Sequence, residues 1–265
     1  DILERSSARE TAIRTAVGAV AIQILECFSI QIASFVKILG GIEVPCFLEK
    51  YSLSQIQEIT EKSELRILDP SLEEKIKEKI DSAKNLGDTL GGTFCVLAQG
   101  VPPALGSYAT SFSKLDANIA AGFLSLQAIK AIEFGLGTQY AHLLGSQCHD
   151  EIFYTQDQGF FRKTNHAGGI EGGMSNGEQI IVKATMKPIP TLMSPLKSVD
   201  IVSKNPFDAV KERSDVSAVP AATVVGEGIL AVEILRALMM RYGQDEKSMM
   251  LSAFTKENKT RFEWL

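Results

Sequence analysis

Three stretches of this 265-residue chain are apolar nearly all round over helical lengths. A helix of that kind has no solvent face and must be covered by other layers. The first, Thr11-Ala-Ile-Arg-Thr-Ala-Val-Gly-Ala-Val-Ala-Ile-Gln-Ile-Leu25, follows Ser7-Ala-Arg-Glu10, a capping-box pattern with Ser at the cap and Glu three residues later. A buried helix to about Glu26 is expected, roughly 30 Å long at ~1.5 Å per residue. The second is expected over Asp116 to Phe134, where Ala117, Ala120, Ala121, Gly122, Ser125, Ala128 and Ala131 permit close packing. The third spans about Ala218 to Tyr242, with Pro220 tolerated in its first turn.

Strand patterns alternate with these helices. Ser29 to Val44 reads as a strand and turn ending at Gly40-Gly41, Gly91 to Ala98 as a strand, and Glu151–Tyr154 and Gln179–Met186 as further strands. Buried helices interleaved with strand hairpins indicate an α+β class, helices covered by sheets. Lys50 to Ala83 is charged instead, with weak caps at Ser54 and Ser71 and with Leu72, Ile76 and Ile80 at four-residue spacing. It reads as two solvent-exposed helices, the second after Asp69-Pro70. Residues 1–265 are expected to form a single core, with 50–86 an exposed helical insertion.

The charge balance, 27 Lys+Arg against 32 Asp+Glu, gives a net −5. Nucleic acid and membrane surfaces are therefore not expected partners, and any anion site has to be built locally. Cys27, Cys46, Cys95 and Cys148 lie far apart without a C-x-x-C pair, and only three histidines are present. That argues against a metal site and for reduced thiols in a cytoplasmic protein. No apolar run reaches the ~18 residues of a membrane span. The chain opens Asp1-Ile-Leu-Glu-Arg5 without methionine or signal segment, and reads as the middle of something longer.

Four local patterns bear on chemistry. Thr164 to Glu178 holds glycines at 168, 169, 172, 173 and 177 and runs into Lys187-Pro-Ile-Pro-Thr191. Such density suits a loop, a close approach of backbone to backbone or ligand, or a concavity of N–H groups that binds an anion. Arg5-Ser6-Ser7-Ala8-Arg9 stands at a helix N-terminus, as an anion site or as a cap with solvated arginines. Arg213-Ser-Asp215 precedes the third helix, where Asp215 is an N-cap or a carboxylate placed for proton transfer. Gln127 is an amide on an apolar segment, and a buried amide needs partners from backbone or ligand. His142, His149 and His166 read as structural.

In this order Arg5-Ser-Ser-Ala-Arg-Glu-Thr11, Asn165 to Gly177 with Met186-Lys-Pro-Ile-Pro-Thr191, and Arg213-Ser-Asp-Val-Ser-Ala-Val-Pro-Ala-Ala222 resemble the chorismate synthase family. Gly87-Asp-Thr-Leu-Gly-Gly92, Gly100-Val-Pro-Pro103 and Lys114-Leu-Asp-Ala117 fit it too, so the likeness covers essentially the whole chain. The resemblance implies a β-α-β sandwich and a homotetramer. It implies a lyase of the shikimate pathway that converts 5-enolpyruvylshikimate 3-phosphate to chorismate by anti-1,4-elimination of phosphate. It also implies reduced FMN, with NADPH as the associated reductant. Carried over by position, the flavin contacts are Arg5, Ser6, Ser7, Gln127, Ala128, Gly172, Lys187, Pro188, Ile189, Pro190, Thr191 and Arg213. Ser7 and Arg9 match substrate contacts, and Asp215 matches the carboxylate assisting proton transfer. The family's long stretch before Arg-Ser-Ser, with its two acid/base histidines, has no counterpart among these residues. The chain is accordingly expected to be a C-terminal core, either a part of that enzyme or, by itself, a non-catalytic folding and oligomerisation unit.

Overall fold

A computed structural model describes residues 6–45, 48–157, 159–211 and 214–260. Arg5, Cys46 and Arg213 lie outside the described residues. After a 3-10 turn, Ala8–Glu10, the chain forms α1 (Thr11–Glu26), β1 (Gln31–Leu39) and β2 (Ile42–Glu43). Then come α2 (Leu53–Lys62), α3 (Glu73–Asn85), β3 (Gly92–Gln99), α4 (Leu115–Leu124) and β4 (Ile129–Phe134). The one-turn α5 (Gly145–Cys148) precedes the hairpins β5–β6 (Ile152–Thr155, Gly159–Arg162) and β7–β8 (Ile170–Glu171, Met174–Ser175). The strand β9 (Ile180–Met186), the pair β10–β11 (Lys197–Val199, Pro206–Asp208), α6 (Val219–Tyr242) and α7 (Lys247–Thr260) complete it.

The main sheet has five strands in the order β2-β1-β3-β9-β4, all pairs antiparallel. This bears out the antiparallel α+β class. One face of the sheet packs against α1, α4 and α6. Leu25, Ile32, Val36, Phe94, Val96, Phe123, Val182, Ala184, Leu230 and Ile234 are buried in one shared cluster. The opposite face carries a smaller cluster in which Leu53 and Ile56 of α2 meet Ala33, Phe35, Cys95 and Leu97. The charged segment thus forms two helices as expected, but only their outer faces are solvated. Ser52, not Ser54, caps α2, with a full capping box to Gln55, while Asp69 accepts from the Ser71 N–H and caps the 3-10 turn Pro70–Leu72 that leads into an uncapped α3.

α1 and α6 run parallel at very close approach. A Cβ on Gly18 would lie 2.3 Å from the Gly228 Cα, so glycine is what lets the two backbones meet. Residue numbers rise together along the contact, from Arg14 beside Gly228 to Ala21 beside Leu235 and Met239. The expectation that α1 is buried all round is corrected: Ile13, Val17 and Val20 are 71, 54 and 58% exposed. Among the described residues one main sheet covers this helix layer, and it covers one side.

The expected helix over Asp116–Phe134 is also corrected. α4 stops at Leu124, Ala128 takes a left-handed φ of 67°, and the chain turns into β4. Pairing decides the matter: Ile129 sits opposite Met186 and Phe134 opposite Val182, and the Glu133 carboxylate meets Lys183 of β9 at 3.3 Å. Cross-strand contacts of this kind override a helical run of small residues.

Candidate active site

Ser7 opens the turn before α1, its Oγ accepting from the Arg9 N–H at 3.3 Å. Glu10, read from sequence as half of a capping box, turns its carboxylate toward Arg14, at 2.8 Å, and toward Gln127, whose Nε2 donates at 2.8 Å. Arg14 in turn donates to the Ser125 hydroxyl at 2.7 Å and to its carbonyl at 3.2 Å. The first turns of α1 are thereby tied to the α4–β4 turn. That turn is tied to the end of β9, because the Lys187 N–H donates to the Ala128 carbonyl at 2.9 Å.

Past Lys187 the two prolines leave the sheet edge, and their neighbours fix the path. The Thr89 hydroxyl donates to the Ile189 carbonyl at 2.7 Å, and the Ser214 hydroxyl donates to the Thr191 carbonyl at 3.1 Å. The Leu90 N–H donates to the Val216 carbonyl at 2.7 Å. Asp215 therefore stands between two anchored neighbours, exposed, just ahead of α6. It is not the helix cap: α6 begins at Val219 after Ala218, which makes no side-chain cap. The cap reading of Asp215 is dropped.

The structure thus gathers Ser6, Ser7, Arg9, Gln127, Ala128, Lys187, Pro188, Ile189, Pro190, Thr191 and Asp215 at one end of the sheet and helix layer. Sequence reading missed Glu10, Arg14, Thr89 and Ser214, which hold them there. The four-residue spacing of Glu10 and Arg14 signals a helical ion pair, and Glu10, Thr89 and Ser214 lie within the family-like stretches without a role assigned to them there.

Gly172 lies elsewhere. It sits at the tip of β7–β8, φ 61°, where an added Cβ would meet nothing. Neighbouring Gly173 accepts from the Leu115 N–H at the start of α4, and Gly169 abuts Gln179 and Ile180 at the start of β9. Lys187 follows the other end of β9, about 20 Å away along the strand at ~3.3 Å per residue.

The glycine loop is a packing device. A Cβ on Gly135 would fall 1.8 Å from the His166 carbonyl oxygen, and one on Gly168 would fall 2.3 Å from the Gly135 nitrogen. Its amides are spent internally: His166 and Ala167 donate to the Asp150 carboxylate at 2.8 and 2.9 Å, Gly168 to the Asn165 carbonyl, and Gly169 to the Asn165 side chain. The anion concavity expected there is not formed by these four groups. Burial pushes the Asp150 carboxyl up, yet the hydrogen bonds from Ala167, Thr164 and His166 outweigh it and hold the group below the usual carboxylate range.

At the other end the donor set differs in kind. Lys187 is exposed and makes no ion pair among the described residues. The Gln127 carbonyl oxygen is buried and has no donor among them. A helix start, a cation and an orphaned acceptor suit an anionic ligand that also carries an N–H group. Among the described residues no group of three or more His, Cys, Asp or Glu is placed to hold a metal ion, and no helix is long and apolar enough to cross a membrane.

The chorismate synthase family model matches residues 1–239. The chain belongs to the chorismate synthase family. It is 52% identical over 252 residues to the chorismate synthase of Geotalea uraniireducens (strain Rf4), covering 92% of this chain and 64% of that relative. To the chorismate synthase of Enterococcus faecalis (strain ATCC 700802 / V583) it is 49% identical, covering 96% and 65%. A solved structure described as "Crystal Structure of Chorismate Synthase" superposes with a TM-score of 0.80 at 40% identity, covering 96% of this chain and 70% of that one. The chain therefore spans just under two thirds of the length of these curated relatives.

Proposed function

We propose that this chain carries the flavin-binding part of a chorismate synthase, a carbon–oxygen lyase that eliminates phosphate from 5-enolpyruvylshikimate 3-phosphate to give chorismate. The observation that carries the reading is the convergence of Ser7, Gln127, Lys187–Thr191 and Asp215, distant in sequence, at one end of the layer pair in a member of this family. The cofactor in this reading is reduced FMN. Lys187 and the α1 start would hold its negative charge, Gln127 and Ala128 would border its ring, and Pro188 to Thr191 would form a wall set by the two prolines. Arg5 and Arg213 belong to the same proposed set. When bound, reduced FMN supplies transient electron density that eases the loss of phosphate.

The chain's own part is positional and electrostatic. Cationic side chains and helix N–H groups favour the substrate anions and the phosphate as its charge develops. Ser7 and Arg9 are the proposed substrate contacts. The exposed carboxylate of Asp215 takes the ring proton onward, and its placement follows from the bonds of Ser214 and Val216 on either side. A cytoplasmic homotetramer supported by NADPH-linked flavin reduction belongs to this reading, as does a single core over 1–265 with 50–86 inserted. The half-exposed apolar stripe of Ile13, Val17 and Val20 is a surface that association or further chain would cover.

The deciding assay uses the full-length protein under anaerobic reducing conditions with FMN and the enolpyruvyl substrate. Phosphate release matched by chorismate formation is the expected result. No release, with FMN demonstrably bound, overturns the reading.

A further inference from the structure

The Gln127 amide is oriented by a neighbour that leaves it no choice. Its nitrogen donates to Glu10 Oε1 at 2.8 Å. A carboxylate only accepts hydrogen bonds, so the amide nitrogen must face Glu10 and the carbonyl oxygen must face away. Glu10 is itself held: the Arg14 Nε lies 2.8 Å from the same oxygen, and the rest of that guanidinium is fixed on Ser125. The outward-turned oxygen of Gln127 is buried and finds no donor among the described residues. An acceptor in that state is costly, and a side chain free to rotate would relieve it. Here the Glu10–Arg14 pair prevents the rotation.

We propose that Glu10, braced by Arg14, is a positioning residue that presents the Gln127 carbonyl oxygen to an N–H donor of the bound cofactor. The inference rests on the flavin reading above. A flavin carries such a donor, the imide N–H of its pyrimidine ring, flanked by two carbonyls. The reversed amide would present an NH2 group to that N–H, donor against donor. Glu10 thus contributes to cofactor selection without touching the cofactor.

The test is a double-mutant cycle read by FMN titration of the full-length chain, with thermal unfolding of each variant alongside. E10Q replaces the pure acceptor by an amide able to donate to the Gln127 oxygen, which consumes it. Q127M removes the oxygen and keeps the bulk. Each variant is expected to weaken FMN binding about tenfold, as for one lost hydrogen bond. The double variant is expected to bind within about twofold of Q127M alone, because the two residues act through one contact. Additive losses, about a hundredfold in the double variant, overturn the proposal, as does wild-type affinity in E10Q. Should E10Q fail to fold, R14K loosens the same carboxylate and takes its place in the cycle, with the same two readings. A wild-type protein that binds no FMN overturns the flavin reading together with this inference; bound FMN with additive losses overturns this inference alone.

Discussion

The two ends of β9 are built on opposite plans. At the Gly169 end every loop amide from His166 to Gly169 has a partner within the fold, and glycines serve backbone-on-backbone packing. At the Lys187 end a lysine, an amide oxygen and an aspartate have no partners among the described residues, while the backbone beneath them is tied by four separate segments. Density of glycine and density of unspent polar groups are thus separate signals. The His166 Nδ1 at the loop end is also buried without a hydrogen-bond partner, so what sets the Lys187 end apart is an exposed cation and an exposed carboxylate beside its orphaned acceptor.

The contrast can be broken from the loop side first. Gly168→Ala is expected to lose about 3 kcal/mol or more of stability, since a side chain at φ 64° would press on the Gly135 backbone. Gly172→Ala has a similar φ but open space, and should lose only about 1 kcal/mol. Denaturant unfolding separates the two, and equal losses would contradict the packing account. From the other side, Lys187→Ala should weaken FMN binding by about 1.5–3 kcal/mol while the melting temperature stays put. A flavin titration identical to wild type would remove Lys187 from the site.

Asp150→Asn sharpens the comparison through pH. The Asp150 carboxyl is held below its ordinary range in the fold, so its contribution is present above the unfolded value of about 4 and fades as pH falls below it. The stability gap between wild type and variant should therefore narrow as pH falls below about 4. A gap constant across that window would show that the loop does not depend on the charge.

The smallest effect is expected at Glu227. Burial pushes its carboxyl up, more than the Ser34 and Arg66 hydrogen bonds and charge pull it down. A raised folded value gives stability that is present below about pH 4.3 and lost as pH rises through the folded value. Glu227→Gln should thus gain on wild type as pH rises from about 4 in thermal melts across pH.

Much of the fold was legible where local pattern and packing agree. α6 occupies Val219–Tyr242 as the sequence predicts, but the expected all-round burial holds only to about Ala231; beyond it Ile234, Leu238 and Tyr242 are buried on one face while Met240 is exposed. β1, β3 and β9 fall where β-branched runs end in Gly or Pro. The α4–β4 break was not legible, because Ile129–Phe134 becomes a strand only through β9, fifty residues away in sequence. α7 is not among the elements read from the sequence, although Met250, Leu251 and Phe254 repeat at helical spacing and Phe254 packs edge-on against Phe28 and Tyr242. At the site, sequence order named the groups that face outward. It did not show that Gly172 stands apart, nor that Glu10 and Arg14 brace Gln127, since neither separation nor bracing has a local signature.

The Gly18–Gly228 contact has one more effect. With α1 and α6 side by side and pointing the same way, their peptide dipoles add instead of cancelling. Two like poles held this close repel, and the fold bears that repulsion through backbone contact. In return, the field at the Ser7 and Val219 ends is positive before any side chain charge is counted. In a chain with a net charge of −5, the backbone contribution at this end thus opposes the overall sign.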